Sequence, residues 1–131
     1  MTFYETEINR IKKICFSNDK QLETVISLRN FIDNNFEKEI NLKFLSHTLL
    51  TSKYHLLRLF KRYYGITPKQ YLTIRRLEKS KEYLKKGMSV SEVCYNVGFN
   101  THSSFSTLFK NKIGLTPTEF QKKQLSQNHS R

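Results

Sequence analysis

Hydrophobic residues recur at helical spacing along this chain, and one stretch of the pattern occurs twice. The apolar stripe of the first copy has i, i+3, i+4 spacing, at Leu56, Leu59 and Phe60. The stripe ends in Phe-Lys, and a Gly and then Thr-Pro come after it, all within residues 60–68. The same order returns downstream, over 109–117. An apolar stripe of this period, followed by Gly and then Thr-Pro, predicts an amphipathic helix, a left-handed exit and the start of another helix.

A shorter amphipathic segment precedes each copy, at equivalent positions of the two units. The alignment of the two segments pairs Leu42, Leu45, Ser46 and Leu49 with Val90, Val93, Cys94 and Val97, and the inner face of the first segment consists of Leu42, Leu45 and Leu49. Ser52 is then predicted to cap the following helix, and Thr101 is its equivalent in the second unit. Each unit therefore has the pattern helix, short turn, helix, and the scarcity of Gly and Pro predicts an all-α fold.

A long helix is predicted between the two units. Thr67-Pro68-Lys69-Gln70 has the form of a capping box with Pro at the first helical position, and Gly87 ends the helical pattern. About 18 residues at 1.5 Å each span about 27 Å, so this helix can serve as a rigid spacer. The predicted organisation is a first helix-turn-helix subdomain at 20–66, a linker helix at 67–87, a second subdomain at 88–123 and a frayed tail at 124–131.

Residues 1–19 are predicted to form a short N-terminal helical extension, which ends where Ser17-Asn18-Asp19 supplies a stop and a new N-cap. The helix after it, about Lys20 to Asn34, is expected to brace the first unit. Its apolar face consists of Val25, Leu28, Ile32 and Phe36. The pattern leaves open whether the extension packs on that unit or binds a partner.

The distribution of charge adds a partner class. The formal net charge is +12, and residues 1–40 hold 6 Lys and Arg against 7 Asp and Glu, whereas residues 41–131 hold 17 against 4. The positive charge therefore belongs to the repeated units. A polyanionic partner is the direct physical inference, with nucleic acid favoured over an anionic membrane.

Several other classes of function lack their sequence signature. No apolar run approaches the roughly 20 residues of a membrane span, and the charged N-terminus is not a signal peptide, so we expect a cytoplasmic protein. Cys15 and Cys94 are isolated and the four His are scattered, without metal-ligand spacing, a catalytic carboxylate partner or a Gly-rich phosphate loop. We therefore expect no catalytic residue, no cofactor and no metal, and we expect Cys94 to be a buried packing residue.

The second helix of each unit is predicted to present a different outer face. In the first unit the outer positions are Tyr54, Leu57, Arg58 and Lys61, and Tyr63 continues the inner stripe. In the second unit the outer positions are Ser103, Ser106, Thr107 and Lys110, opposite Phe105, Leu108 and Phe109. An exposed Leu among basic and aromatic neighbours suits a DNA groove, where it can touch a thymine methyl group.

Three groups of residues keep a specific order and spacing over about residues 21–121. They are Ser52...Leu56...Arg58-Leu59-Phe60-Lys61...Gly65...Thr67-Pro68, then Arg76-Leu77-Glu78...Leu84, and Gly98-Phe99...Phe105-Ser106...Phe109-Lys110...Gly114...Thr116-Pro117. On these residues the chain resembles the AraC/XylS family of bacterial transcription regulators. The resemblance implies an AraC-type, homeodomain-like fold of two helix-turn-helix subdomains joined by a long central helix. It also implies a monomer on double-stranded promoter DNA that acts by contacting RNA polymerase, as an activator in the bacterial nucleoid.

The resemblance also implies which residues meet DNA. Bases would be met by Tyr54, Leu57 and Arg58 in the first recognition helix and by His102, Ser103, Ser104 and Thr107 in the second. The full candidate set is Ser52, Lys53, Tyr54, Leu57, Arg58, Lys61, Arg62, His102, Ser103, Ser104, Ser106, Thr107 and Lys110. Thr107 replaces the basic residue usual there, and Gln121 replaces the usual Arg after the closing aromatic residue. A weaker grip on DNA by the second unit is therefore expected.

Three alternatives accompany this hypothesis. A non-specific DNA-compacting protein would share the charge but would not need two differently decorated helices. A DNA repair enzyme would need a reactive Cys cluster, which the sequence lacks. Larger family members carry a separate sensor or dimerisation domain, so the chain is either a short stand-alone regulator or the DNA-binding part of a longer one. Only positions 1–20 precede the shared region, and no small-molecule pocket is expected.

Overall fold

A computed structural model of the chain describes the backbone of residues 2–129 and the side chains of 2–10 and 18–127. Its helices, in chain order, are α1 (Phe3–Asn34), α2 (Leu42–Thr48), α3 (Lys53–Tyr64), α4 (Pro68–Lys85), α5 (Val90–Asn96), α6 (His102–Ile113) and α7 (Pro117–His129). No strand occurs between residues 2 and 129, and the prediction of an all-α fold is confirmed. The chain forms two compact units. Unit 1 consists of residues 2–34 and 41–68, and unit 2 consists of residues 35–40 and 69–129.

Unit 1 is built on the packing of α1 against α3. Val25, Leu28 and Ile32 of α1 are fully buried, as are Leu56 and Phe60 of α3. Burying an aliphatic or aromatic side chain of this size contributes about 1.5–3 kcal/mol. The predicted role of this part of α1, to brace the first unit, is confirmed.

The helix α1 runs without a break from Phe3 to Asn34, so the predicted stop at Ser17-Asn18-Asp19 was wrong. Ser, Asn and Asp each cost no more than about 0.7 kcal/mol relative to Ala inside a helix, and this segment holds neither Gly nor Pro. Residues that favour caps therefore did not end the helix. Phe36 lies beyond α1 and packs on the core of unit 2, which corrects its assignment to the face of the brace.

The end of α3 also departs from the predicted stripe. Tyr63 is 39% exposed, so the prediction that it points inward was wrong. The inner side chain is Tyr64, whose ring lies 4.7 Å from that of Phe60. The guanidinium of Arg29 on α1 lies 5.7 Å from the centre of the Tyr64 ring. Phe60 and Tyr64 are neighbours on the helix surface because they are one turn apart, at i and i+4.

Unit 2 has an aromatic core on which α5, α6 and α7 meet α4. Its buried members are Leu77, Leu84, Val93, Cys94, Val97, Phe105, Phe109 and Phe120. The ring of Phe109 lies 5.7 Å from that of Phe105 and 5.5 Å from that of Phe120, both edge to face. Such aromatic pairs add about 0.5–1.5 kcal/mol to the burial of their area. The predicted inner residue Leu108 is half-buried against this core.

Arg76 of α4 fastens the segment 35–40 to unit 2. Its Nε donates to the carbonyl oxygen of Phe36 at 2.7 Å, and its Nη2 donates to that of Lys38 at 2.9 Å. Partial burial lowers the pKa of Arg76, while Glu37 and Glu39 act to raise it. Hydrogen bonds from a charged donor contribute about 1.5–3 kcal/mol each, so the segment is held as part of the unit.

Gln121 of α7 has a structural role. Its Nε2 donates to the carbonyl oxygens of Leu84 and Met88, at 3.1 and 2.7 Å, where α4 ends. The last carbonyls of a helix lack partners within it, and that of Leu84 accepts from the Gly87 N–H at 3.1 Å as well as from Gln121. The weaker DNA grip that the resemblance attached to Gln121 stays a prediction. α7 itself continues to His129, whereas a frayed tail was expected from Gln124.

Candidate nucleic-acid interface

The helices α3 and α6 begin with the same capping contact. Ser52 Oγ accepts a hydrogen bond from the His55 backbone N–H at 3.1 Å, and Thr101 Oγ1 accepts one from Ser104 at 3.0 Å. Both capping residues have extended backbone, and the two helices are each 12 residues long. A side-chain N-cap contributes about 1 kcal/mol. The predicted cap at Ser52 is confirmed, and Thr101, which aligns with Ser52, caps α6 in the same way.

Both helices also end in the same way. Gly65 and Gly114 have φ of 78° and 94°, and their N–H groups donate to the carbonyl oxygens of Lys61 and Lys110 at 2.8 Å. The left-handed region costs a residue with a Cβ about 1–2 kcal/mol, which accounts for Gly at both ends. The predicted left-handed exits are confirmed.

The supporting helices α2 and α5 have equivalent starts. Asn41 Oδ1 accepts from the Phe44 N–H at 3.1 Å, and Ser89 Oγ accepts from the Glu92 N–H at 3.3 Å. The buried residues of these helices are Leu45 and Ser46 in α2 and Val93 and Cys94 in α5. They occupy the same places in the two copies of the pattern, so each unit holds one helix-turn-helix on the same scaffold.

The outer face of α3 is basic and aromatic. Tyr54 is 75% exposed. The exposed cations of this helix are Lys53, Arg58, Lys61 and Arg62, and none of them forms an ion pair with a described residue. Leu57 is half-buried, which corrects the prediction of a Leu standing free on the surface. Ser52, at the start of the helix, is exposed.

The outer face of α6 is small and hydroxylic. Its exposed candidates are His102, Ser103, Ser104, Thr107 and Lys110, and Ser106 is half-buried. Thr101 Oγ1 donates to Ser104 Oγ at 2.7 Å, and Ser106 Oγ lies 3.4 Å from His102 Nδ1. Two of its serine hydroxyls therefore already have partners at the surface of α6 itself.

Comparison with known proteins identifies this pair of units. A model of the helix-turn-helix domain matches residues 45–123, more than half of the chain. The bifunctional transcriptional activator and DNA repair enzyme AdaA of Bacillus subtilis is 34% identical over 100 residues, which cover 76% of this chain and 47% of AdaA. The chain belongs to the AraC/XylS family of transcription regulators. It carries the family's DNA-binding double helix-turn-helix domain.

Solved structures share this AraC-type fold. The C-terminal domain of AraT, a response regulator from Geobacillus stearothermophilus, is 29% identical with a TM-score of 0.72, covering 76% of this chain and 84% of that one. The DNA-binding domain of AdpA, a global transcriptional factor solved with a target DNA, has a TM-score of 0.73 at 18% identity. That likeness covers 79% of this chain and 94% of AdpA's, and it shows the fold alone. The chain spans about half the length of the curated relatives it matches.

Other chemistry is sparse in the described part of this AraC-type chain. Cys94 is buried, its Sγ donates to the Thr101 carbonyl oxygen at 3.4 Å, and burial raises the pKa of the thiol. Cys94 is thus a packing residue, as predicted, while Cys15 lies outside the described side chains. The residues whose side chains the structure describes, 2–10 and 18–127, contain no cluster of three His, Cys, Asp or Glu that could hold a metal ion. None of their helices is both long and apolar enough to cross a membrane.

A cleft in unit 1 was not predicted. It has a volume of about 280 Å³ and lies where α1 and α3 meet the turn between α2 and α3. Its lining residues are Lys20, Gln21, Thr24, Leu49, Leu50, Thr51, His55 and Leu59. These positions are far apart in sequence and follow no motif, so periodicity and spacing gave no signal for them.

Proposed function

We propose that the chain is a sequence-specific transcription regulator that inserts α3 and α6 into successive major grooves of a promoter site. The observation that supports this most directly is the pair of helices with equal length and caps but different exposed side chains. Two such helices suit an asymmetric site, because each can read a different set of bases. The two grooves would lie about 34 Å apart, one turn of DNA.

Within this function the two helices have different tasks. Arg58 can pair with guanine O6 and N7, and Tyr54 and Leu57 can contact the neighbouring bases. On α6, Ser103 and Thr107 can serve several bases, because a hydroxyl both donates and accepts hydrogen bonds. The exposed cations contact phosphates and hold each helix in its groove. These residues are Lys53, Lys61, Arg62 and Lys110.

We further propose that one chain suffices for one DNA site, since it contains both units. The protein would then act in the bacterial cytoplasm, at the nucleoid, and contact RNA polymerase as an activator. AdaA is both an activator and a DNA repair enzyme. We assign no catalysis to the present chain, because the hydroxyl of Ser106, which lies 3.4 Å from His102 Nδ1, belongs to the face of α6 that the proposal gives to DNA.

Selection of bound duplexes from a random-sequence pool tests the proposal. A bipartite motif with two conserved segments about one turn apart is the expected result, and footprinting on the selected site should protect two major grooves. Enrichment of no sequence would contradict specific reading and favour the non-specific alternative. Protection of a single groove would contradict the action of both units. Charge-reversed Arg58→Glu protein is the matched control, since it should recover no motif for the first half-site.

A further inference from the structure

The cleft of unit 1 gathers polar groups that have no partner in the described residues. The Lys20 ammonium, the Thr51 hydroxyl and the His55 ring all line it, and none of them makes a hydrogen bond or ion pair with a described side chain.

Unit 2 shows what fills the equivalent place. The buried residues Val25, Leu28 and Ile32 of α1 correspond to buried Leu77, Ser80 and Leu84 of α4, since both sets follow i, i+3, i+7 spacing. In this alignment Thr24 of unit 1 is equivalent to Arg76 of unit 2, because each directly precedes the first buried residue of its set.

The two positions are filled differently. In unit 2 the guanidinium of Arg76 donates to the segment 35–40, whose Glu37 carbonyl lies against Gly98. In unit 1 the side chain at this position is the short Thr24, and Leu50, which stands at the place of Gly98, is 86% exposed. The turn before the recognition helix is therefore covered in unit 2 and open in unit 1.

The composition of the cleft indicates the kind of group that completes it. A Lys ammonium, a Thr hydroxyl and an imidazole N–H are donors that bind a phosphate oxygen. Thr51 and His55 flank the start of α3, where the helix dipole also favours an anion. His55 and Arg58 are neighbours on the surface of α3, at i and i+3, so the cleft adjoins the outer face of this helix.

We propose that this cleft binds a backbone phosphate of the DNA whose major groove holds α3, with Lys20 as its main cationic contact. The inference rests on the proposed function, and it adds α1 to a DNA interface otherwise made of the helix-turn-helix itself. A phosphate contact of this kind carries no sequence information and instead sets the position and register of α3 in the groove.

Salt dependence provides the first test, with the full chain on the selected duplex and on a scrambled one. Lys20→Ala should reduce the log–log salt slope by about one on both duplexes. One contact corresponds to a slope of about 0.9. Between about 50 and 200 mM salt, the affinity of Lys20→Ala for DNA should therefore decrease by a factor that is roughly threefold smaller than the factor for wild type. Lys85→Ala removes an exposed lysine of α4 and is the charge-matched control, with an unchanged slope.

Neutral phosphates provide the second test. Duplexes carrying a single methylphosphonate linkage are scanned across the first half-site. At one or two linkages the replacement should weaken wild type and Lys85→Ala severalfold and leave Lys20→Ala unchanged, because the variant has already lost that contact.

The results separate this inference from the proposed function. Identical salt slopes and identical linkage profiles for Lys20→Ala and wild type would overturn the phosphate contact while leaving specific DNA reading intact. Inorganic phosphate could perturb the amide resonances of Thr51 and His55 while Lys20→Ala keeps the salt slope of wild type. This pair of results would assign the cleft to a free anion and overturn the inference. If no sequence is enriched, the proposed function fails, yet the slope on scrambled DNA still tests the cleft.

Discussion

Leu50 and Gly98 hold the same left-handed turn in the two units, although Leu50 carries a side chain. Their φ angles are 54° and 96°. The next residues, Thr51 and Phe99, donate to the carbonyl oxygens of Ser46 and Cys94 at 2.9 and 3.1 Å. A Cβ at position 98 would lie 2.6 Å from the Glu37 carbonyl oxygen, whereas Leu50 is 86% exposed. Crowding by the segment 35–40 therefore requires Gly at position 98 of unit 2. The equivalent position 50 of unit 1 is not crowded in this way, and a Leu is tolerated there.

Leu50→Gly should stabilise unit 1. It removes a left-handed strain of about 1–2 kcal/mol and adds a Gly entropy cost of about 0.5–1 kcal/mol, for a net gain of about 0.5–1 kcal/mol. Hydrogen exchange of the α1 and α3 amides measures the gain. Leu50→Ala is the matched control, because it keeps the Cβ and should show no gain. Equal protection in Leu50→Gly and Leu50→Ala would refute the strain at this turn.

Gly98→Ala should destabilise unit 2 by roughly 2–5 kcal/mol, because left-handed strain and the clash with the Glu37 carbonyl act together. Gly65→Ala is the control, since Gly65 also has a positive φ but a Cβ there would have no atom within 4 Å. It should cost about 1–2 kcal/mol, from strain alone. Urea unfolding of the two variants compares these costs. A cost at position 98 no larger than that at position 65 would contradict the close approach.

Gln121→Leu should destabilise the packing of α7 on α4 by about 1–2 kcal/mol, because the carbonyls of Leu84 and Met88 lose their shared donor. Gln121→Arg keeps donors at that place and should retain most of the stability. The exposed neighbour Lys122 provides the control, since Lys122→Leu should stay within about 0.5 kcal/mol. Thermal unfolding reports the difference. A stability loss for Lys122→Leu equal to that for Gln121→Leu would argue against the capping role.

The parts of the fold that could be predicted from the sequence are those fixed by local chemistry. Ser52 and Thr101 cap because a hydroxyl at that position accepts from the first turn, and Gly65 ends α3 because few other residues adopt its φ. Each of these signals lies within about one helical turn of the helix cap or helix end that it determines. They located both helix-turn-helix units and the start of α4 at Pro68.

The parts that could not be predicted depend on contacts between distant residues. Tyr63 and Tyr64 both fit the stripe of Phe60, at i+3 and i+4, and it is over the Tyr64 ring that Arg29 of another helix lies. Phe36 leaves the face of α1 because Arg76 fastens its carbonyl to unit 2. The cleft exists because Thr24 is short where unit 2 has Arg76. Periodicity within one segment carries no information about any of these contacts.

DNA affinity should fall steeply as salt rises. Each phosphate neutralised by Lys or Arg contributes about −0.9 to the slope of log affinity against log salt. Lys61→Ala should reduce this slope by about one, and Ser103→Ala should leave it unchanged, since Lys61 and Ser103 are an exposed cation and an exposed hydroxyl of equivalent helices. Fluorescence anisotropy at several salt concentrations gives both slopes. A nearly flat wild-type dependence would contradict nucleic-acid binding itself.

Specificity should depend more on α3 than on α6. When the two copies are aligned at Phe60 and Phe109, Arg58 corresponds to Thr107, so a planar guanidinium faces bases from the first unit and a hydroxyl from the second. Arg58→Ala should cost about 1–3 kcal/mol on the selected site, the usual range for a bidentate contact to guanine, and should relax base preference at one position. Thr107→Ala should cost less.

The same variant separates base reading by Arg58 from a phosphate contact. If Arg58 pairs with guanine, its loss weakens binding to the selected site far more than to a scrambled duplex. If Arg58 touches only phosphate, both duplexes lose affinity alike and the salt slope falls by about one. Equal losses on the two duplexes would thus refute base reading, and a larger loss for Thr107→Ala than for Arg58→Ala would reverse the expected asymmetry. Because both side chains are exposed, neither change should alter the fold, and unchanged circular dichroism verifies this.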